Sequence, residues 1–194
     1  MIKNIFIDLD DVLNNFTLYA LDRMGCDVKA EDYEAYNPEW GWDIVKAYNN
    51  LHPARQVDEH TFWNRLPKDV WSHAPKSAIC DTILGFAEML VGTSHVCILT
   101  SPTLDPLCAA GKMMWIKHNL PARLHRRFAI CPCKEMCASP SALLIDDSDK
   151  NIEAFHYAGG HTLLVPRPWN SKHDQDTEAY IRHGLASVAK LGAK

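Results

Sequence analysis

Residues 5–7, 96–99, 142–145 and 162–165 form four largely apolar runs, each the length of one strand and too short for a helix. A continuous apolar run has two faces to bury, so it belongs in a parallel sheet covered on both sides. The intervening segments carry helical spacing: Ile79, Ile83, Phe86 and Leu90 precede the second run, and Leu107, Met114, Trp115 and His118 follow it. Alternation of this kind predicts a three-layer α/β fold of the Rossmann type. Residues 128–131 read as a further strand, and Tyr180, Ile181, Leu185 and Val188 as a closing helix.

Residues 25–75 break the rhythm. Trp40, Trp42, Trp63 and Trp71 stand there among Pro38, Gly41, Pro53, Pro67 and Pro75. The stretch is too long for an ordinary strand-to-helix connection. It predicts a small, mainly helical cap, residues 16–75, inserted after the first strand into a core of residues 1–15 and 76–194.

The 194 residues, 47% hydrophobic and 23% charged, have the composition of an ordinary folded domain. A net charge of -4 argues against bulk attraction to nucleic acid or anionic lipid. The basic cluster Arg123, His125, Arg126 and Arg127 reads as a solvated loop. No stretch approaches the ~20 apolar residues of a membrane span, and the N-terminus has no secretory pattern, so the expected location is cytoplasmic. The seven cysteines, several inside apolar stretches, fit reduced thiols better than a disulfide framework.

Polar residues gather where the apolar runs stop. The first run ends Asp8-Leu9-Asp10-Asp11, the second Thr100-Ser101-Pro102, and the third Asp146-Asp147-Ser148-Asp149. In a parallel sheet these ends share one edge, where ligands bind. Taken singly, the aspartates read equally well as helix caps. Converging, Asp8, Asp10 and Asp146 offer only oxygen ligands, the chemistry of Mg²⁺. Asp8 and Asp10, two apart on extended chain, face the same way, so one can attack while the other handles a proton. The Thr100 and Ser101 hydroxyls before Pro102 suit a phosphate at a loop or helix start. Lys134 is placed to neutralise a phosphorylated aspartate.

These motifs, in this order, resemble the haloacid dehalogenase-like (HAD) phosphohydrolases. More narrowly, residues 6–16 (FIDLDDVLNNF), 98–102 (ILTSP) and 144–148 (LIDDS) resemble the 5'(3')-deoxyribonucleotidases. The resemblance implies Asp8 as nucleophile and Asp10 as general acid and base. It implies Mg²⁺ held by Asp8, the main-chain carbonyl of Asp10, and Asp146, with Asp147 beside it. Thr100, Ser101, Lys112 and Lys134 would bind phosphate, and Phe16, with Trp40 and Trp42 of the cap, would wall the base. The expected substrate is a small phosphate ester, a nucleoside monophosphate, with no membrane or nucleic-acid partner; a homodimer is left open. Two departures stand out: Asp11 occupies a position commonly glycine, and Asn15 one commonly acidic. Other readings are a phosphatase for another metabolite or for a polynucleotide 3'-phosphate, and a non-catalytic metal-binding protein. Cys131, Cys133 and Cys137 lack the pair-plus-pair spacing of a zinc site.

Overall fold

The computed structural model describes residues 1–192. All five expected strands form: β1 (Asn4–Ile7), β2 (Val96–Thr100), β3 (Phe128–Ile130), β4 (Ala142–Asp146) and β5 (His161–Leu164). They make one parallel sheet in the order β3-β2-β1-β4-β5. β1 lies at the centre, and the chain departs from it in opposite directions toward β2 and β4. Ile7 is level with Ile98 on one side and Ile145 on the other, so the residues that follow emerge side by side. The Asp8 N–H continues the ladder by donating to the Ile145 carbonyl at 2.9 Å. The crevice where strand order reverses therefore lies over the strand ends that carry Asp8, Thr100 and Asp146.

Side-chain alternation divides the core between two faces. Ile5, Ile7, Ile98, Leu143 and Ile145 pack with Ile83 of α5 (Cys80–Val91), Trp115 of α6 (Pro106–Asn119) and Ile181 of α8 (Thr177–Gly192). On the opposite face Leu99 and Leu144 pack with Phe155 of α7 (Asp149–Tyr157). Helix starts are set locally: Asp105 accepts from the Leu107 N–H with Pro106 in the first turn, and Ser148 accepts from the Asn151 N–H. Because α6 begins at Pro106, Pro102 opens a loop and not a helix, which corrects one of the two placements expected for it.

Between β1 and α5 the chain forms α1 (Phe16–Arg23), α2 (Ile44–Leu51), α3 (Glu59–Arg65) and α4 (Val70–His73), with single 3₁₀ turns at Tyr33–Ala35, Pro38–Trp40 and Pro53–Arg55. Leu18, Leu21, Val28, Tyr36, Ala47, Tyr48 and Phe62 give this insert a buried cluster of its own. Its entry and exit are tied together: Asn14 and Lys76 form an antiparallel bridge, and the Asn15 N–H donates to the Pro75 carbonyl. α4 crosses α6 at Gly111, where a Cβ would stand 2.4 Å from that of Trp71, so only glycine admits this approach. The crossing sets Trp71 of the insert beside the strand ends. No described helix is long and apolar enough to cross a membrane.

Candidate active site

A cavity of about 840 Å³ lies between the strand ends and the insert. Asp8, Asp10, Thr100, Ser101, Lys112, Lys134 and Asp147 line its floor, while Phe16, Trp42, Trp63, Trp71 and Trp169 line its walls. Asp146, fully buried, sits just beneath.

Two buried lysines organise the floor. Lys134 Nζ lies 2.8 Å from Asp8 Oδ1 and 2.6 Å from Asp146 Oδ2. Lys112 Nζ lies 2.6 Å from Asp10 Oδ2, donates to Thr100 Oγ1 at 2.8 Å, and donates to the Ser101 carbonyl. Burial works against each ammonium, but the facing carboxylates outweigh it and hold both lysines above their ordinary range. Asp8 Oδ1 also accepts the Leu9 N–H at 2.7 Å, which fixes that oxygen from two sides. Asp146 is oriented by the Ser148 N–H at 2.9 Å and by the Asn151 amide at 3.1 and 3.2 Å. The Ser101 hydroxyl donates to the Cys131 carbonyl at 3.3 Å.

Asp8, Asp146 and Asp147 each offer a carboxylate oxygen within 4.8 Å of the others, all three residues buried. Among the described residues, Lys134 is the one ammonium within 4 Å of Asp8 and Asp146. Burial pushes Asp8 up to about 7, with Lys134 opposing and Asp146 and Asp10 reinforcing the rise. Burial, then Asp146, Asp11 and Asp8, push Asp147 well above the usual carboxylate range. A hard divalent cation fits this excess of buried negative oxygen. Asp10 stands apart: its carboxylate turns to Lys112 and to the Asn14 amide at 3.2 Å, so the side chains grouped closely enough to hold a cation are those of Asp8, Asp146 and Asp147.

A pH dependence follows from these elevated groups. Asp8 near 7, Asp11 near 6 and Asp147, well above the usual carboxylate range, all exceed their unfolded values near 4. Between about pH 4 and 7 the native state therefore binds more protons than the unfolded chain, and stability falls as pH rises. Thermal melts in EDTA are expected to show a midpoint that declines across this interval. Added Mg²⁺ should raise the midpoint more at pH 7 than at pH 5, because protons compete for the same oxygens.

The two departures, Asp11 and Asn15, both buried, meet in one hydroxyl, that of Tyr33. Asp11 has φ 58°, the left-handed region that explains a glycine preference, and aspartate is among the side chains that tolerate it. Its carboxylate accepts from the Thr17 N–H at 3.0 Å, the Thr17 hydroxyl at 2.6 Å and the Tyr33 hydroxyl at 3.2 Å. Asn15 Oδ1 lies 3.1 Å from the same Tyr33 hydroxyl. Asp11 thus pins the start of α1 and the insert to the loop after β1. Burial raises Asp11 to about 6 against the Thr17 bonds.

The aromatic wall differs from expectation. Phe16 and Trp42 line the cavity, Trp42 being 71% exposed at its mouth. Trp40 does not: it packs edge-on against Tyr36, ring centres 5.0 Å apart, within the insert's own apolar cluster. The wall is instead a stack of Phe16, Trp71 and Trp63, with centroid spacings of 4.5 and 6.1 Å and interplanar angles of 11° and 14°. Lys112 Nζ sits 5.8 Å from the Trp71 ring centre, which connects this stack to the floor. Trp63 and Trp71 arrive from separate helices, so no local spacing marks them as partners. Among the described residues, Cys131, Cys133 and Cys137 do not gather into a metal site, and the ring of His125 bonds elsewhere, to the Leu120 carbonyl.

No protein-family model and no curated protein matches this chain. Among solved structures, it is similar to a HAD-family hydrolase from Deinococcus radiodurans R1 with bound phosphate and sodium. The identity is 15% and the TM-score 0.53, over 94% of this chain and 88% of that one. A haloacid dehalogenase-like family hydrolase from Xanthomonas campestris aligns over 98% of both chains at 15% identity and TM-score 0.46. The L-2-haloacid dehalogenase of Xanthobacter autotrophicus aligns at 11% and 0.48, over 95% of this chain and 83% of its own. With its parallel sheet centred on the strand that delivers Asp8, the chain has the fold of the HAD-family hydrolases.

Proposed function

We propose that this protein is a Mg²⁺-dependent phosphomonoesterase acting on nucleoside monophosphates, deoxyribonucleotides preferred, through an aspartyl-phosphate on Asp8. One observation carries the reading. Asp8 Oδ1 is fixed by Lys134 and the Leu9 N–H, which leaves Oδ2 to attack a phosphorus seated in the cavity beside Thr100, Ser101 and Lys112.

Attack by Oδ2 forms the aspartyl-phosphate bond as the ester P–O bond breaks, and Asp10 gives its proton to the departing oxygen. Asp10 then takes a proton from water as that water attacks phosphorus, which releases phosphate and restores the Asp8 carboxylate. Lys112 bridges Asp10 to the Thr100 hydroxyl, so an incoming phosphate that draws this ammonium toward itself loosens its hold on Asp10. Asp8, Asp146 and Asp147 would hold a divalent cation, which when bound would supply positive charge beside the phosphoryl group and the Asp8 carboxylate.

The stack of Phe16, Trp71 and Trp63 favours a planar leaving group over a small aliphatic one. The test is phosphate release with Mg²⁺ from nucleoside monophosphates against glycerol phosphate. A kcat/KM at least about tenfold higher for nucleotides is expected. Stacking is worth about 1–3 kcal/mol per base, so Trp63→Ala should raise the nucleotide KM roughly 5- to 150-fold with little change in kcat. Equal turnover of both classes would remove the nucleoside part of the proposal; no turnover of either would remove the phosphatase.

A further inference from the structure

Trp169 lies in the loop after β5, 22 residues beyond Asp147, and its indole N–H donates to Asp147 Oδ2 at 2.7 Å. Among the described residues this is the sole hydrogen bond to that carboxylate. The next residue, Asn170, holds the main chain at the same point, its amide donating to the Asp147 carbonyl at 2.8 Å and to the Val165 carbonyl at 2.7 Å. One short loop therefore fixes both the backbone and the side chain of Asp147.

The other end of the indole belongs to the insert. Trp169 is the one member of the insert's buried cluster that comes from outside residues 18–62. Its ring makes edge contacts with Tyr33 and Tyr36, centroids 5.8 and 5.2 Å away. These contacts seat the indole, whose N–H is the donor to Asp147, against the insert.

We propose that Trp169 is a positioning residue that sets Asp147 for a divalent cation and couples cation binding to docking of the insert. This rests on the cation site of the phosphatase reading and adds its linkage to a second element. Holding one carboxylate oxygen leaves the other directed to the ion, and loss of such a supporting partner costs about 10- to 100-fold in metal affinity. The coupling runs both ways: cation binding stabilises the docked insert to the extent that docking favours the cation.

Calorimetric titration of the full chain with Mg²⁺ tests the proposal without reference to turnover. Trp169→Phe keeps a ring in place and removes the N–H, so it should bind Mg²⁺ at least about tenfold more weakly while still melting cooperatively in EDTA, with a midpoint lowered by about 2–12 °C for the lost bond to a buried acceptor. In an Asp147→Asn background Trp169→Phe should cost nothing further. A second measurement keeps the native side chain: in 5-fluorotryptophan-labelled protein, the Trp169 ¹⁹F resonance should shift on adding Mg²⁺ while that of Trp115, in the sheet core, stays. Amide exchange over residues 33–48 should slow with Mg²⁺ in the wild type and not in Trp169→Phe. Wild-type affinity in Trp169→Phe, an immobile Trp169 resonance, or the same loss in the Asp147→Asn background would each overturn the inference while leaving the phosphatase reading intact. Failure of the wild type to bind Mg²⁺ would defeat the cation site and the inference together.

Discussion

Asp8→Asn is expected to lower phosphate release by roughly four to six orders of magnitude, the scale on which removal of a covalent nucleophile acts. The same substitution should leave the fold intact or firmer. Asp8 is buried at the end of β1, and its burial lifts it to about 7, so near neutrality its charge is a cost to the folded state in the absence of a cation. Asparagine keeps the shape and the acceptor oxygen that receives the Leu9 N–H, and Lys134 retains Asp146 at 2.6 Å. The melting midpoint in EDTA at pH 7 should therefore equal or exceed that of the wild type. Lost turnover with a preserved midpoint assigns the defect to chemistry. Retained turnover would transfer the nucleophile role to another group and undo the aspartyl-phosphate mechanism.

The floor of the site was legible in the sequence because a parallel sheet turns chain order into spatial order. Three apolar runs ending in polar residues are enough to bring Asp8, Thr100 and Asp146 to one edge, whatever the loops between them do. Lys112 was legible through the motif resemblance alone, and Lys134 only through its place before the third run together with that resemblance, since a lysine in a helix or a 3₁₀ turn looks solvated until its burial is known. The walls were not legible. Trp63, Trp71 and Phe16 stack only because α4 crosses α6 closely at Gly111, a contact that no periodicity encodes. Trp40 and Trp42 are two residues apart, yet a turn at Gly41 with φ 64° sends one into the insert's cluster and the other to the cavity mouth. Asp11 shows the same limit from another side: its departure from glycine was visible, but its bonds to Thr17 and Tyr33 depend on how the insert folds back.

Lys134→Met should be the most destabilising single change at the site, and its cost should grow with pH. The ammonium is 2% exposed and is the one positive group within 4 Å of Asp8 and Asp146 among the described residues. Methionine fills the space but leaves buried carboxylates facing one another. Breaking a buried pair in this way costs about 3–5 kcal/mol, and a chain of this size loses about 2–4 °C of melting midpoint per kcal/mol, so a fall of roughly 10 °C is expected at pH 7.5. The sign of the pH effect follows from the carboxylates. Without Lys134 the affinity of Asp8 for protons rises further, so at pH 5 Asp8 is protonated and its repulsion with Asp146 is largely absent, whereas at pH 8 it is expressed. The gap between variant and wild type should therefore widen from pH 5 to pH 8. Mg²⁺ supplies the missing charge in the same pocket, and it should raise the midpoint of Lys134→Met more than that of the wild type. A gap that stays constant with pH, or a variant indifferent to Mg²⁺, would mean that Lys134 is not the counter-charge of this trio. Its hold on Asp8 at the strand end would then need another cause.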